Sequence, residues 1–171
     1  MPSSGWTIEK QRHQENLEVK PERQILVFTL DRKEFGVDLS CVREVLRLEE
    51  IHSLPKTPSF IAGVIHLRGR LIPLIDLGKK LHGERVGAEP CKRIIVCRIS
   101  RFIVGLTVES LKEIIALSRG EINPIPEVVS LHADTEVLSG IGKIADRVIP
   151  ILNLERVLNG REVTELSTLG S

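Results

Sequence analysis

The sequence predicts a mainly β protein made of two similar small halves, and three observations carry that reading. Apolar runs of strand length recur along the chain, divided by short polar breaks that hold Gly, Asp or Arg, as in successive hairpins. Hydrophobic residues make up 42% of the chain but aromatics only 3%, with four Phe, one Trp and no Tyr, so Val, Ile and Leu must build the core. The chain also resembles itself. Gly63–Gly83 laid over Gly140–Gly160 gives identities at Gly63, Arg70, Ile72, Pro73, Leu77, Leu81 and Gly83. Val27–Pro55 laid over Val96–Pro124 matches at Val27, Arg32, Gly36, Glu44, Leu48 and Pro55. Both matches run in the same order, as a duplication does; chance likeness among aliphatic strands is the competing explanation.

Taken in order, residues 1–23 are mostly polar or charged, with Trp6, Ile8, Leu17 and Val19 too scattered to form a face, and read as a mobile arm. ILVFTL and FGVDL read as strands around the polar turn DRKE, with Gly36 suited to a bulge or a close backbone approach. SCVREVLRL places Leu39, Val42, Val45 and Leu46 at helical spacing behind a cap at Asp38 or Ser40, and predicts a short amphipathic helix. Pro55 and Pro58 bracket a turn. GVIHL and RLIPLID then form a hairpin around Arg68-Gly69, and LGKKLHG gives one or two helical turns, capped by Asp76 and ended by Gly83. Glu84–Pro90 is a polar loop.

In the second half, CKRIIVCRI and FIVGLTVE are strands turning at Ser100-Arg101, LKEIIALS is a third apolar run, and GEINPIPEV is a Pro-broken connection. After a loop over Ser130–Glu136, VLSGIGKIADRVIPIL reads as another strand pair, NLERVLNG as a short helix and residues 161–171 as a frayed tail. The expected organisation is the arm, a domain over 24–160 with halves at about 24–83 and 94–160, and the tail. Pro73 and Pro150 share one repeat position inside apparent strands, where each removes a ladder donor and so needs an edge, a strand start or a bulge. Each half is therefore expected as a small, strongly curved sheet or barrel, gaining stability by packing on its partner. Grooves between such halves are natural docking sites.

Lys plus Arg number 24 against 23 Asp plus Glu, so no global field selects nucleic acid or anionic lipid. Cys41, Cys91 and Cys97 are odd in number and form no CxxC pair, which fits a reducing cytoplasm better than a disulfide framework or a structural zinc. The histidines His13, His52, His66, His82 and His132 show no metal-ligand spacing, so neither metal nor cofactor is expected. No apolar run nears the roughly 20 residues that span a bilayer, and no signal sequence opens the chain, so membrane insertion is not expected. GxSxG, HExxH, GxGxxG and the phosphate-loop pattern are all missing, and no catalytic residue can be named. An enzyme is not expected.

Three stretches, VFTLDRKEFGVDLSCVREVL, LPKTPSFIAGVIHLRGRLIPLIDL and VGLTVESLKEI, occur in an order and spacing that resemble the CheW family of bacterial chemotaxis coupling proteins. The middle motif is long and specific. The resemblance covers about residues 24–160, with departures at His66 (usually Asn), Glu109 (usually Asp) and Asn153 (commonly Asp). It implies two interlocked five-stranded SH3-like β-barrels with a few short helices and no enzymatic activity. It also implies a cytoplasmic scaffold, recruited to membrane-associated arrays, that joins the regulatory domain of a CheA-type histidine kinase to the cytoplasmic tip of methyl-accepting chemoreceptors. Swimming, gliding and pilus-driven systems use similar couplers, so the output stays open.

The resemblance also implies site residues. Arg68, at the hairpin turn, and Glu44, beside the apolar stripe, match positions around the family's receptor-facing surface; a planar guanidinium could take the carboxylate bidentately, and an ordinary exposed pair is the alternative. Val42 is either core or part of a docking surface for a receptor helix. Gly63 and Gly69 are expected as backbone support. For the kinase, the resemblance directs attention to Val104, Leu106 and Val108 and to Leu138 and Ile141, although sequence alone does not separate interface from core aliphatics. The rival function is a small-barrel nucleic-acid module, suggested by the basic stretch HLRGR and opposed by the near-neutral charge and scarce aromatics.

Overall fold

In the computed structural model residues 22–82, 90–127 and 136–169 are described. The first half supplies β1 (Arg23–Leu30), β2 (Lys33–Asp38), a 3-10 turn (Leu39–Cys41), β3 (Val42–Arg47), β4 (Ile61–Leu67), β5 (Arg70–Asp76) and α1 (Leu77–His82). The second supplies β6 (Arg93–Ile99), β7 (Phe102–Val108), β8 (Ser110–Leu117), a 3-10 turn (Arg119–Glu121), β9 (Ile122–Asn123), β10 (Leu138–Ile144), β11 (Arg147–Leu152), α2 (Leu154–Val157) and α3 (Gly160–Leu169). Most of the N-terminal arm, Gly83 with nearly all of the loop after it, and most of the loop before β10 lie outside the described residues.

The halves exchange strands. One six-stranded sheet runs β8-β1-β2-β11-β10-β9 and one five-stranded sheet runs β3-β6-β7-β5-β4. Each half thus lends its opening hairpin to one barrel and its later hairpin to the other. The duplication is visible in register: β5 meets β7 in parallel at Leu74↔Gly105, and β11 meets β2 in parallel at Ile151↔Gly36, the equivalent pair. Gly36 and Gly105 are required by the packing inside each barrel, since a Cβ would stand 2.5 Å from Ile25 Cγ2 at Gly36 and 2.6 Å from both Ile94 Cγ2 and Leu74 Cδ2 at Gly105. Pro73 and Pro150 each pair with one antiparallel neighbour just before the parallel partner begins, so the missing N–H removes no ladder bond on the second side.

Three apolar clusters hold the molecule. Ile25, Val27, Ile115, Leu117, Ile149 and Ile151 fill the first barrel, and Ile65, Ile72, Leu74, Ile94 and Val96 fill the second. Alternate residues of the same strands, among them Leu26, Phe28, Ile75, Ile95, Cys97, Val104 and Leu106, form a larger cluster between the barrels. β1 and β6 therefore bury both faces, which is why their apolar runs are continuous rather than alternating.

Two expectations are corrected. SCVREVLRL is not a helix: it makes a 3-10 turn and then β3, antiparallel to β6. A bulge between Val42 and Glu44 turns Arg43 out of phase, so Val42 and Val45 both reach the central cluster three residues apart, and helical spacing arises inside a strand. Residues 161–169 are not a frayed tail but the body of α3, anchored by buried Leu166 with Val163 beside it. Its start is a reciprocal cap: Asn159 Oδ1 accepts from Glu162 N and Glu162 Oε1 accepts from Asn159 N, each at 2.9 Å. Lys80 Nζ of α1 donates to Glu162 at 2.6 Å and stands over the Phe60 ring, tying α3 to the first half.

Candidate functional site

The site is built at the open side of the second barrel, where the edge strands β3 and β4 face each other. Arg68 and Gly69 have φ of +50° and +78° and make the two-residue turn that joins β4 to β5. Nothing lies within 4 Å of a Cβ at Gly69, so this glycine is needed for its dihedral, not for space. The turn projects the Arg68 guanidinium across to β3, where Glu44 is held by its pairing with Val96. Arg68 Nη2 donates to Glu44 Oε2 at 3.0 Å and Nη1 donates to Oε1, so the bidentate pair expected from the sequence is formed, from a strand rather than a helix. The hydrogen bonds from Arg68 hold the Glu44 carboxyl below the usual carboxylate range.

Gly63 supports the same closure. His52 and Val64 exchange two backbone hydrogen bonds of 2.9 Å, bringing the segment after β3 onto β4. Gly63 has φ +148°, and a Cβ there would lie 2.6 Å from the His52 carbonyl oxygen. Arg68 and Glu44 stand on the rim of a depression of about 250 Å³ floored by Leu67, Ile72, Val96 and Ile103, with Arg43 and Arg70 also on its edge. Sequence reasoning noted Arg70 only as a repeated position and passed over Arg43 and Ile103; comparison of the two halves residue by residue is the signal that finds them. Val42 is half-buried opposite Cys97 and packs on the central cluster.

Of the residues considered for the kinase, Val104, Leu106 and Val108 are 0% exposed. Their side chains belong to the core between the barrels and present nothing to a partner. Leu138 and Ile141 on β10 are half-buried. The departures at Glu109 and Asn153 are absorbed as backbone acceptors. Glu109 accepts from Asp31 N at 2.7 Å and Arg32 N at 3.2 Å, holding the β1–β2 turn, and Asn153 Oδ1 caps α2 by accepting from Glu155 N at 3.0 Å. His66 is exposed. Among the described residues no helix is long and apolar enough to cross a membrane, and no His, Cys, Asp and Glu cluster has metal-site geometry.

A family model described as a CheW-like domain matches residues 24–162. Similar proteins include "Chemotaxis protein CheW" of Klebsiella aerogenes, 31% identical over 82% of this chain and 84% of that protein. "Probable chemotaxis protein CheW" of Rhizobium etli is 32% identical over 82% and 90%. The scaffolding protein TtCheW of Thermoanaerobacter tengcongensis, a crystal structure, superposes with a TM-score of 0.74 at 36% identity, covering 84% of this chain and 94% of that one. The shared span takes in both barrels and the Arg68–Glu44 closure, and on that ground the chain belongs to the CheW-like domain family.

Proposed function

We propose that this chain is a non-enzymatic adaptor of a bacterial chemosensory system, joining the regulatory domain of a CheA-type histidine kinase to the cytoplasmic tips of chemoreceptors. The observation that carries the reading is agreement in sequence and in fold, over the same two-barrel body, with a protein whose structure is titled a scaffolding protein and with relatives named for chemotaxis. Arg68, Glu44 and Val42 form the receptor-facing part, with Gly63 and Gly69 maintaining its backbone. The kinase meets a barrel surface on which Leu138 and Ile141 are the accessible members of the residues considered. The chain works in the cytoplasm, held at membrane-associated arrays by its partners. A two-barrel body with one shared core suits this role, because coupling requires differential contacts in two signalling states to pass through a scaffold that does not yield.

Reconstitution of the purified chain with a CheA-type kinase and a receptor cytoplasmic fragment tests the reading. Kinase activity should become receptor-dependent only when the chain is present. Arg68→Glu should reduce that dependence while leaving thermal unfolding essentially unchanged. A folded Arg68→Glu variant with intact control would overturn the site assignment, and no receptor dependence with the native chain would overturn the function.

A further inference from the structure

The two barrels repeat one another at their mouths but differ there in charge: Ile103 stands where the first barrel has Glu34, and the turn residues Arg68-Gly69 stand where it has Ala145-Asp146. In the first barrel Arg147 opens β11, Lys112 sits at the bulge of β8 and Glu34 lies on β2. Arg147 donates to Glu34 at 2.5 Å and to Glu113 at 2.9 Å, and Lys112 donates to Glu34 at 3.1 Å. The Glu34 carboxylate thus lies between two cations, and their hydrogen bonds, that of Arg147 foremost, hold it below the usual carboxylate range.

Register identifies the same four places in the second barrel. Arg147 faces Ile144 as Arg70 faces Leu67; Glu113 faces Val27 as Glu44 faces Val96; Glu34 faces Thr29 as Ile103 faces Arg98. Lys112 and Arg43 are the residues skipped at the two equivalent bulges. The cations recur, but the central carboxylate is Ile103. Glu44 is taken by Arg68, and among the described residues neither Arg43 nor Arg70 forms an ion pair. Both are exposed on the edge of the depression whose floor is Leu67, Ile72, Val96 and Ile103.

Two guanidinium groups beside an apolar floor, on a scaffold whose other copy seats a carboxylate at this point, complement an acidic side chain flanked by apolar ones. We propose that the mouth of the second barrel seats a carboxylate of the chemoreceptor tip, with Arg43 and Arg70 standing around it as Lys112 and Arg147 stand around Glu34. The choice of the receptor rests on the adaptor reading above and on continuity with the Arg68–Glu44 surface. The new content is the chemistry recognised: an acidic residue with apolar neighbours, read by residues beyond that pair.

The test is calorimetric binding of a receptor cytoplasmic fragment to the full chain. Ile103→Glu installs the internal carboxylate that the first barrel already has, and should weaken receptor binding at least tenfold by occupying Arg43 and Arg70. Arg70→Glu, on an exposed position that the fold does not need, should weaken it by a similar factor. Lys143→Glu, the same charge change on an exposed residue of β10, should bind as the native chain does. Native-level receptor binding by both Ile103→Glu and Arg70→Glu overturns this inference and leaves the adaptor reading standing. Loss of kinase binding with receptor binding retained overturns the choice of partner. Failure of the native chain to bind the receptor fragment overturns the adaptor reading and this inference with it.

Discussion

Replacing Leu166 by Ala asks whether α3 is part of the folded body. Leu166 is 2% exposed and reaches the central cluster from the solvent side. At about 0.8 kcal/mol for each buried carbon removed, the lost transfer energy is about 2.4 kcal/mol. A residual cavity adds to this, but a helix lying over the core can settle inward, which places the total near the low end of the range for buried leucines, about 2.5–3 kcal/mol. For a domain of this size each kcal/mol lowers the melting temperature by about 2–4 °C, so the midpoint should fall by about 5–12 °C. Urea and thermal unfolding of the full chain measure it. Leu71→Ala, at a position 58% exposed, is the control and should change stability by less than about 0.5 kcal/mol. If Leu166→Ala is as mild as the control, α3 contributes no packing and the reasoning from its burial fails.

Gly63→Ala should cost about 2–4 kcal/mol, because the new Cβ meets both Ile51 Cγ2 at 2.5 Å and the His52 carbonyl at positive φ; Gly140→Ala, whose nearest neighbour is 3.0 Å away, should cost less in the same denaturant series. Glu44 should titrate below the usual carboxylate range by NMR and move up in Arg68→Ala; an unmoved Glu44 would sink the pairing argument. With its native pKa depressed, Glu44 makes the small contribution to stability of an exposed pair above the unfolded value of ~4.3 and loses it as pH falls through the native one, so that small acid-dependent part should be absent in Arg68→Ala. The Cys97 thiol, pushed up to about 12 by burial and then by Cys41, should resist alkylation in the native chain at neutral pH, while half-buried Cys41 and Cys91 react first; early modification of Cys97 would mean that β6 opens readily.

The hairpins were legible because each carries its own punctuation: Arg68-Gly69 and Ser100-Arg101 lie between runs too short to be helices. The Arg68–Glu44 pair was legible through residue chemistry and the family motif. β3 was not. Its bulge at Arg43 places Val42 and Val45 on one face at a spacing that a helix would also produce, and its pairing with β6 depends on a strand of the other half. The duplication held the remedy, since β3 is the counterpart of β8, whose run LKEIIALS was read without helical periodicity. α3 was missed for a smaller reason: Asn159 and Glu162 spell a capping box just past the short helix, followed by Val163 and Leu166 on one face.

The exchange of strands could not have been read from self-similarity, because a duplicated sequence is equally consistent with two separate barrels. What decides it is that β8 completes the sheet begun by β1 and β2, while β3 completes the sheet of β6 and β7. Neither half holds all the strands of either barrel, so neither can bury its apolar faces alone, and the central cluster forms only when both are in place. This bears on function. A contact at the mouth of the second barrel acts on β3 and on the β4–β5 hairpin, both from the first half, while β1 and β2 of that half are built into the first barrel. Covalent continuity through the 3-10 turn Leu39–Cys41 and the shared core therefore join the two barrels at short range. An adaptor assembled in this way can pass a small displacement from one partner surface to the other without any hinge between its parts.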